Sequence, residues 1–320
     1  MRKATFALVL LGGLLLPQTA FAWNGRGHRT VAFIAYKNLT HDPNGPNARA
    51  KVDQLLRHHP DFATLSAGLA SNDPDFGLKV FMKAATWPDL IKSDSRFFDQ
   101  GKPPTHLLPG FPDMARHRAF HFIDLPFTED GSQTAPPPSP NALNVIQRLR
   151  TEIGNNHFPQ NIQAYDLAWL IHLVGDVHQP LHATSRFTKK HGAPEGDGGG
   201  NAFKIKPFQV FDANFPIDNL HSFWDDVLGT SESFSSVSSL ATGLMNTIPP
   251  VNPIDTTELN WIHESFDFAR TFVYKIGPDE PNQPPPAITP TYKTGAEAIV
   301  RKRMALAGYR LAEVLNQKFH

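Results

Sequence analysis

The chain has 320 residues, 30 Lys+Arg against 30 Asp+Glu, and 40% hydrophobic residues. That apolar share suits a packed core and excludes a disordered chain, while the even charge balance excludes an architectural nucleic-acid binder, which needs a basic stripe to displace counterions. Cysteine is absent, so disulfides, zinc fingers, iron–sulfur clusters and thiol nucleophiles are excluded together, and the 15 histidines become the residues to explain.

Residues 1–22 read as a secretory leader: Arg2 and Lys3, an apolar run from Phe6 to Leu16, and an Ala20-Phe21-Ala22 cleavage site. The run is short of the ~20 residues that a membrane span needs, and no later segment qualifies. Cleavage predicts an exported chain, periplasmic or secreted, that covers residues 23–320. It starts at Trp23 and carries a net charge of −2 once Arg2 and Lys3 are gone.

Helical periodicity dominates from residue 23 onward. Residues 27–37 put Val31, Ile34 and Ala35 on one face, and residues 47–56 form a second helix. Residues 142–153 space Leu143, Ile146, Leu149 and Ile153 at three- and four-residue intervals, with Gly154 as a C-cap. Residues 163–176 are apolar nearly all round, which predicts a central buried helix. Residues 201–212, with Phe203, Ile205, Phe208 and Val210, read as a small hairpin bent at Pro207. Helices over 258–274 and 295–317 complete the set, and 128–140, 191–200 and 277–290 are loops rich in Pro, Gly or polar residues. No repeat or charge shift marks a boundary. The predicted fold is all-α: one mostly helical domain with a small β-hairpin and long loops.

The chemistry gathers in His172-Leu-Val-Gly-Asp176-Val-His-Gln-Pro-Leu-His182. On a helix His172 and Asp176 stand at i and i+4, on one face. Pro180 ends the helix, and the turn can bring His182 back to the same place. His221-Ser-Phe-Trp-Asp225 repeats the i, i+4 pair, again among apolar residues. Buried ionisable groups need partners or a cation. Imidazoles and carboxylates without thiolate suit zinc, with manganese or iron also open. His121 in an apolar run, Asp89 beside Trp87 and His28 near the new terminus extend the cluster. His178 is read as support or packing and not as a ligand. His58, His59, His106, His117, His157 and His191 lie in polar or loop contexts and are read as surface residues.

Taken together the residues resemble the zinc-dependent single-strand nuclease and 3′-nucleotidase family. The carriers are Trp23-Asn-Gly-Arg-Gly-His28, Trp87-Pro-Asp89, His121-Phe-Ile-Asp124, the run from His172 to His182, Gly199-Gly-Asn201, Asn219-Leu-His221-Ser-Phe-Trp-Asp225 and Ala307-Gly-Tyr-Arg-Leu-Ala312. The resemblance implies a helical fold with a cleft over three zinc ions. Asp89, His121, His172 and Asp176 would hold one ion. The Trp23 amine and carbonyl, His28 and Asp176 would hold a second, and His182, His221 and Asp225 the third. It also implies that water activated by a zinc pair attacks phosphorus and the P–O3′ bond breaks, with Asp89, Asp176 and Lys92 serving catalysis.

Single-stranded DNA, RNA and 3′-nucleotides are the substrates so implied, and 5′-nucleotides the products, for a monomer with no membrane or obligate protein partner. Lys92 stands where fungal members have a phosphate-contacting arginine, so it supplies charge without the planar fork. Phe122 and Asp124 stand where the family stacks and hydrogen-bonds a base, with Asn201 beside them as a further substrate contact. The lack of cysteine departs from the fungal enzymes, which carry disulfides. Two rivals are a zinc phospholipase C and a zinc-storage protein. The first would lengthen the interval from Trp23 to His28 and replace Asp225 by glutamate. The second would concentrate its histidines in a flexible tract.

Overall fold

The computed structural model describes residues 23–42, 44–279 and 282–319, so the expected leader lies outside the described residues. Helix α1 (Gly25–Lys37) begins where the Asn24 side chain caps it by accepting from Gly27 N at 3.0 Å. Helices α2 (Ala48–Leu56), α3 (Phe62–Ser66), α4 (Phe76–Ala84) and α5 (Trp87–Leu90) follow. The 3₁₀ helix Arg118–His121 then leads into strand β1 (Leu125–Thr128). Helices α6 (Ala142–Glu152) and α7 (Gln160–Asp176) come next. A 3₁₀ turn, Pro180–His182, precedes β2 (Thr184–Phe187), β3 (Lys204–Phe208) and β4 (Ile217–Asn219). The chain closes with α8 (Leu220–Asp226), α9 (Phe234–Thr247), α10 (Glu258–Thr271), a 3₁₀ turn over Val273–Ile276 and α11 (Pro290–Lys318).

From Gln163 to Asp176 every residue of α7 is buried, as its all-round apolar sequence requires. Around α7 pack α1, α2, α4, α5, α6 and α11. One continuous core of buried apolar residues runs from Trp23 to Leu315, so the mostly helical architecture is observed. Among the described residues no helix is long and apolar enough to cross a membrane.

Where α1 crosses α11 the backbones meet closely at Gly308. A Cβ added there would lie 2.5 Å from Ile34 Cγ2 and 3.1 Å from the Val31 carbonyl oxygen. Gly308→Ala is therefore expected to cost about 2 kcal/mol through overpacking and to lower Tm by ~5 °C in a thermal melt. An unchanged melt would show that the crossing has room to spare.

Two features depart from the sequence reading. The hairpin does not bend at Pro207, which sits inside β3; the partner is β4, paired antiparallel with Lys204 opposite Asn219 and Phe208 opposite Ile217. The register of the ladder shifts between Lys204 and Phe208, and a proline without N–H is tolerated at such an irregularity. A second sheet was not foreseen: β1 and β2 run parallel, with Leu125 opposite Thr184. Parallel strands need a long crossover, here α6 and α7. The crossover brings residues 121–125 against 182–184, with Ile123 N donating to His182 O and Leu125 N to Ala183 O.

Candidate metal centre

The last turn of α7 carries the centre. His172 Nε2 lies 3.2 Å from Asp176 Oδ2, the i, i+4 pair expected from the sequence. His172 Nδ1 donates to the Ala85 carbonyl at 2.7 Å, which fixes the ring and aims Nε2 at the centre. That nitrogen faces His121 Nδ1 at 2.9 Å, and His121 Nδ1 is 3.0 Å from Asp176 Oδ2. Asp89, on α5, brings Oδ1 to 3.8 Å from His172 Nε2 and 4.0 Å from His121 Nδ1. On the other side of Asp176, His28 from α1 sets Nε2 at 3.2 Å from Oδ1, and its ring stacks on His172 with centroids 3.9 Å apart. Asp176 thus faces histidines with both oxygens. Trp23 is buried beside it, its indole Nε1 donating to Gly175 O at 2.9 Å.

His182, His221 and Asp225 form a separate triad. His182 Nδ1 donates to the His121 carbonyl and His221 Nδ1 to the Gly199 carbonyl, both at 2.7 Å. Their Nε2 atoms therefore point lone pairs at each other across 3.1 Å. Asp225 Oδ2 is 3.5 Å from His221 Nε2. The Asn219 side chain caps α8 and places His221 in its first turn, with Asp225 one turn on. Gly199 serves close approach: its φ is +62°, and a Cβ there would lie 2.3 Å from Leu181 O.

Donor atoms converge to within 4.8 Å in three groups: His28, His172 and Asp176; Asp89, His121 and His172; His182, His221 and Asp225. The protein alone does not satisfy them. Both ring nitrogens of His28 and Asp176 Oδ1 are buried without a hydrogen-bond partner. Each such atom costs about 1–3 kcal/mol, and two facing lone pairs repel. A divalent cation among these nitrogens and oxygens removes both penalties, so the donor set fits a metal. All eight side-chain donors expected from the sequence meet in these groups.

A cavity of about 750 Å³ opens over them, with His121, His182 and His221 in its lining. Lys92, Phe122, Asp124 and Asn201 line it too. Lys92 is only 5% exposed, and its ammonium lies 2.7 Å from Asp89 Oδ1. Phe122 is half-buried. Asp124 has a left-handed φ of 52°, and Asn201 Nδ2 donates to Gly198 O at 2.7 Å. Sequence reasoning missed Gln179, whose amide donates to Asp225 Oδ1 at 2.8 Å. Its position inside the His172–His182 run was the one signal for it. Arg118, Asp99 and Glu195, also in the cavity wall, carried none.

The S1/P1 nuclease family model matches residues 23–320. The chain belongs to the S1/P1 nuclease family. Endonuclease 3 of Arabidopsis thaliana is 28% identical over 94% of this chain and 90% of its own length. Endonuclease 4 of the same plant is 27% identical over 48% of this chain and 50% of its own. For Endonuclease 5 the figures are 28%, 50% and 54%. As an S1/P1 nuclease the protein is a hydrolase of ester bonds in a metal-dependent family, and its own His and Asp clusters are able to hold metal.

Charge in this S1/P1 nuclease is arranged for cation binding. Burial, then His172, pulls His28 down to about 4. Burial and Lys92 pull His121 down to about 3. Both imidazoles are therefore neutral, as ligands must be. Burial and the neighbouring charges of Asp226, Asp89 and Asp176 push Asp225 well above the carboxylate range, against the hydrogen bond from Gln179. Burial and Asp197 raise Asp124 to about 7.

The remaining histidines sort by partner. His178 turns away from the cavity: Nδ1 donates to Val174 O, and Nε2 accepts from Arg310 at 2.9 Å. His58, His106 and His157 are exposed as expected. Three other histidines were misread. His117 and His191 are half-buried and paired with Asp113 and Asp279. His59 is buried, because its ring packs edge-on against Trp87 at 4.8 Å and its Nδ1 accepts from Asp61 N.

Burial lowers His59 to about 3 from 6.5. Its stabilising contribution is complete above pH 6.5 and is lost as pH falls toward 3, because the unfolded chain takes up the proton first. His59→Gln should therefore destabilise at pH 7, by a deficit that shrinks by ~1.4 kcal/mol per pH unit below 6.5. Urea unfolding at pH 7 and 5.5 reads this. A deficit independent of pH would mean that His59 titrates normally.

Proposed function

We propose that this S1/P1 nuclease is a zinc enzyme with three Zn²⁺ per chain. In this reading it hydrolyses single-stranded DNA and RNA to 5′-nucleotides and also removes phosphate from 3′-nucleotides. Asp89, His121, His172 and Asp176 would hold one ion, and the Trp23 amine and carbonyl with His28 and Asp176 a second. His182, His221 and Asp225 would hold the third. The observation that carries the reading is the convergence of imidazole nitrogens and carboxylate oxygens, with His182 and His221 Nε2 3.1 Å apart and histidines around both oxygens of Asp176.

Bound there, zinc lowers the pKa of water and neutralises phosphate oxygens. The chain's own residues do the rest. The carbonyls of Ala85, His121 and Gly199 fix the imidazole tautomers. Lys92, held by Asp89 at the cavity, offers its ammonium as a point charge to a non-bridging phosphate oxygen. Phe122 offers a ring face to a base, which favours strands whose bases are unpaired. Asp124, with a pKa near 7, can donate to or accept from the base edge, with Asn201 beside it. The bond broken is P–O3′.

The chain in this reading carries a leader over residues 1–22, is exported to the periplasm or the medium, and acts as a monomer without a membrane or protein partner. Protein starting at Trp23 would be offered single-stranded DNA, RNA, a 3′-nucleotide and phosphatidylcholine, with and without chelator, and its metal counted by elemental analysis. Chelator-sensitive hydrolysis of the first three and three zinc per chain are expected. Hydrolysis of lipid alone, or of nothing, overturns the reading.

A further inference from the structure

Beyond the metal-binding face, the cavity wall holds one guanidinium that the proposed chemistry leaves unused. Arg118 opens the 3₁₀ helix Arg118–His121 and lines the cavity. Its Nε donates to Asp99 Oδ1 at 2.5 Å, and its Nη2 donates to the Lys92 carbonyl at 3.0 Å. Among the described residues its Nη1 has no hydrogen-bond partner, and the side chain is 39% exposed. Arg116 next to it behaves differently. All its nitrogens are engaged, with Asp99 Oδ2 at 2.8 Å, Ile91 O at 3.2 Å and Asp94 O at 3.0 Å. Arg116 is thus a strut that takes up the second oxygen of Asp99, and Arg118 is a cation held still with one edge open.

The charge balance gives that edge a use. Asp99 is shared by two guanidiniums, so the trio carries one surplus positive charge on the cavity wall. Lys92 is balanced by Asp89. In a 3₁₀ helix residues i and i+3 lie over one another, ~6 Å apart along the axis. Arg118 and His121 are such a pair, so the open edge stands one turn from the metal-binding face.

Resting on the reading of the site as a single-strand nuclease, we propose that Arg118 binds a non-scissile phosphate of the strand. It forms a second phosphate subsite that makes the enzyme favour chains with more than one phosphate. A guanidinium whose Nε and Nη2 are already fixed loses little freedom when Nη1 meets a phosphate oxygen, and charged hydrogen bonds of this kind are strong.

The test compares a thymidylate decanucleotide with a dinucleoside monophosphate, which has only the scissile phosphate. Arg118→Ala is expected to lower the ratio of their kcat/KM values about tenfold, through KM for the longer strand. It should also reduce the slope of log KM against log salt for the decanucleotide by ~0.7. Arg118→Lys keeps the charge and should restore the slope and part of the ratio. If Arg118→Ala slows both substrates alike and leaves the ratio unchanged, Arg118 is only a brace for Lys92 and Asp99, and the subsite is wrong. If the wild-type protein turns over neither substrate, the single-strand nuclease reading itself fails, and the subsite with it.

Discussion

Asp176→Asn is expected to lower kcat at least about 10³-fold, some ~4 kcal/mol of transition-state stabilisation, and to reduce bound zinc from three ions per chain to one. The carboxylate meets His28 with Oδ1 and His121 and His172 with Oδ2. An amide keeps the shape but loses the charge and one acceptor, so both ions that it is proposed to bridge lose an anionic ligand, and the one beside His28 loses its only one. Burial would raise this carboxyl, yet the neighbouring histidines, His172 first and then His121, hold it well below the ordinary range, so the wild-type group is ionised. Zinc at a thousandfold excess over Kd stabilises by ~4 kcal/mol, which corresponds to ~8 °C in Tm. The variant should lose most of that zinc-dependent shift while its metal-free melt changes less. Full zinc content with wild-type turnover would rule out the bridge.

The second large effect is expected at the chain start. A preparation that begins at Ala22 should bind one zinc fewer than one that begins at Trp23 and should be slower by about 100-fold. An α-amine loses its proton near pH 7.7–8.0 and can then bind metal, whereas the nitrogen of a peptide bond has no lone pair to give. Residue 23 cannot retreat to make room for the addition. Its indole is held by Gly175 O, and a Cβ at Gly27 would already lie 2.6 Å from Trp23 Cβ. Elemental analysis and kcat on the two preparations decide the matter, and equal values would remove the amine from the ligand set.

The site was more legible than the frame around it, for a physical reason. His172/Asp176 and His221/Asp225 sit on helices, where an i, i+4 spacing in an apolar run forces both side chains to one buried face. That inference needs only local geometry. Helix α4 was missed although Val80, Phe81 and Met82 are buried, because an apolar run of that length reads equally as strand or helix. Helix α9 was missed because its serines compete with the backbone for hydrogen bonds and read as loop. It forms because Val237, Ala241 and Leu244 pack inward and α9 lies against α1. His59 stands in a polar stretch, and only the tertiary position of Trp87 reveals that it is buried. The cavity wall at Asp99 and Arg118, with Arg116 behind it, depends on contacts across 17 to 26 residues that no periodicity encodes.

The parallel pairing of β1 with β2 has a kinetic corollary. The ladder joins residues 59 apart, with Thr184 Oγ1 donating to Leu125 O across it, and it lies directly beyond His121 and His182. Closing so long a loop spends chain entropy before any contact repays it, and such non-local pairings slow folding. Most of the helices can therefore form before the ladder zips. The two halves of the ligand set then meet in one of the last steps of refolding, so free zinc should speed that final phase and leave the earlier collapse untouched.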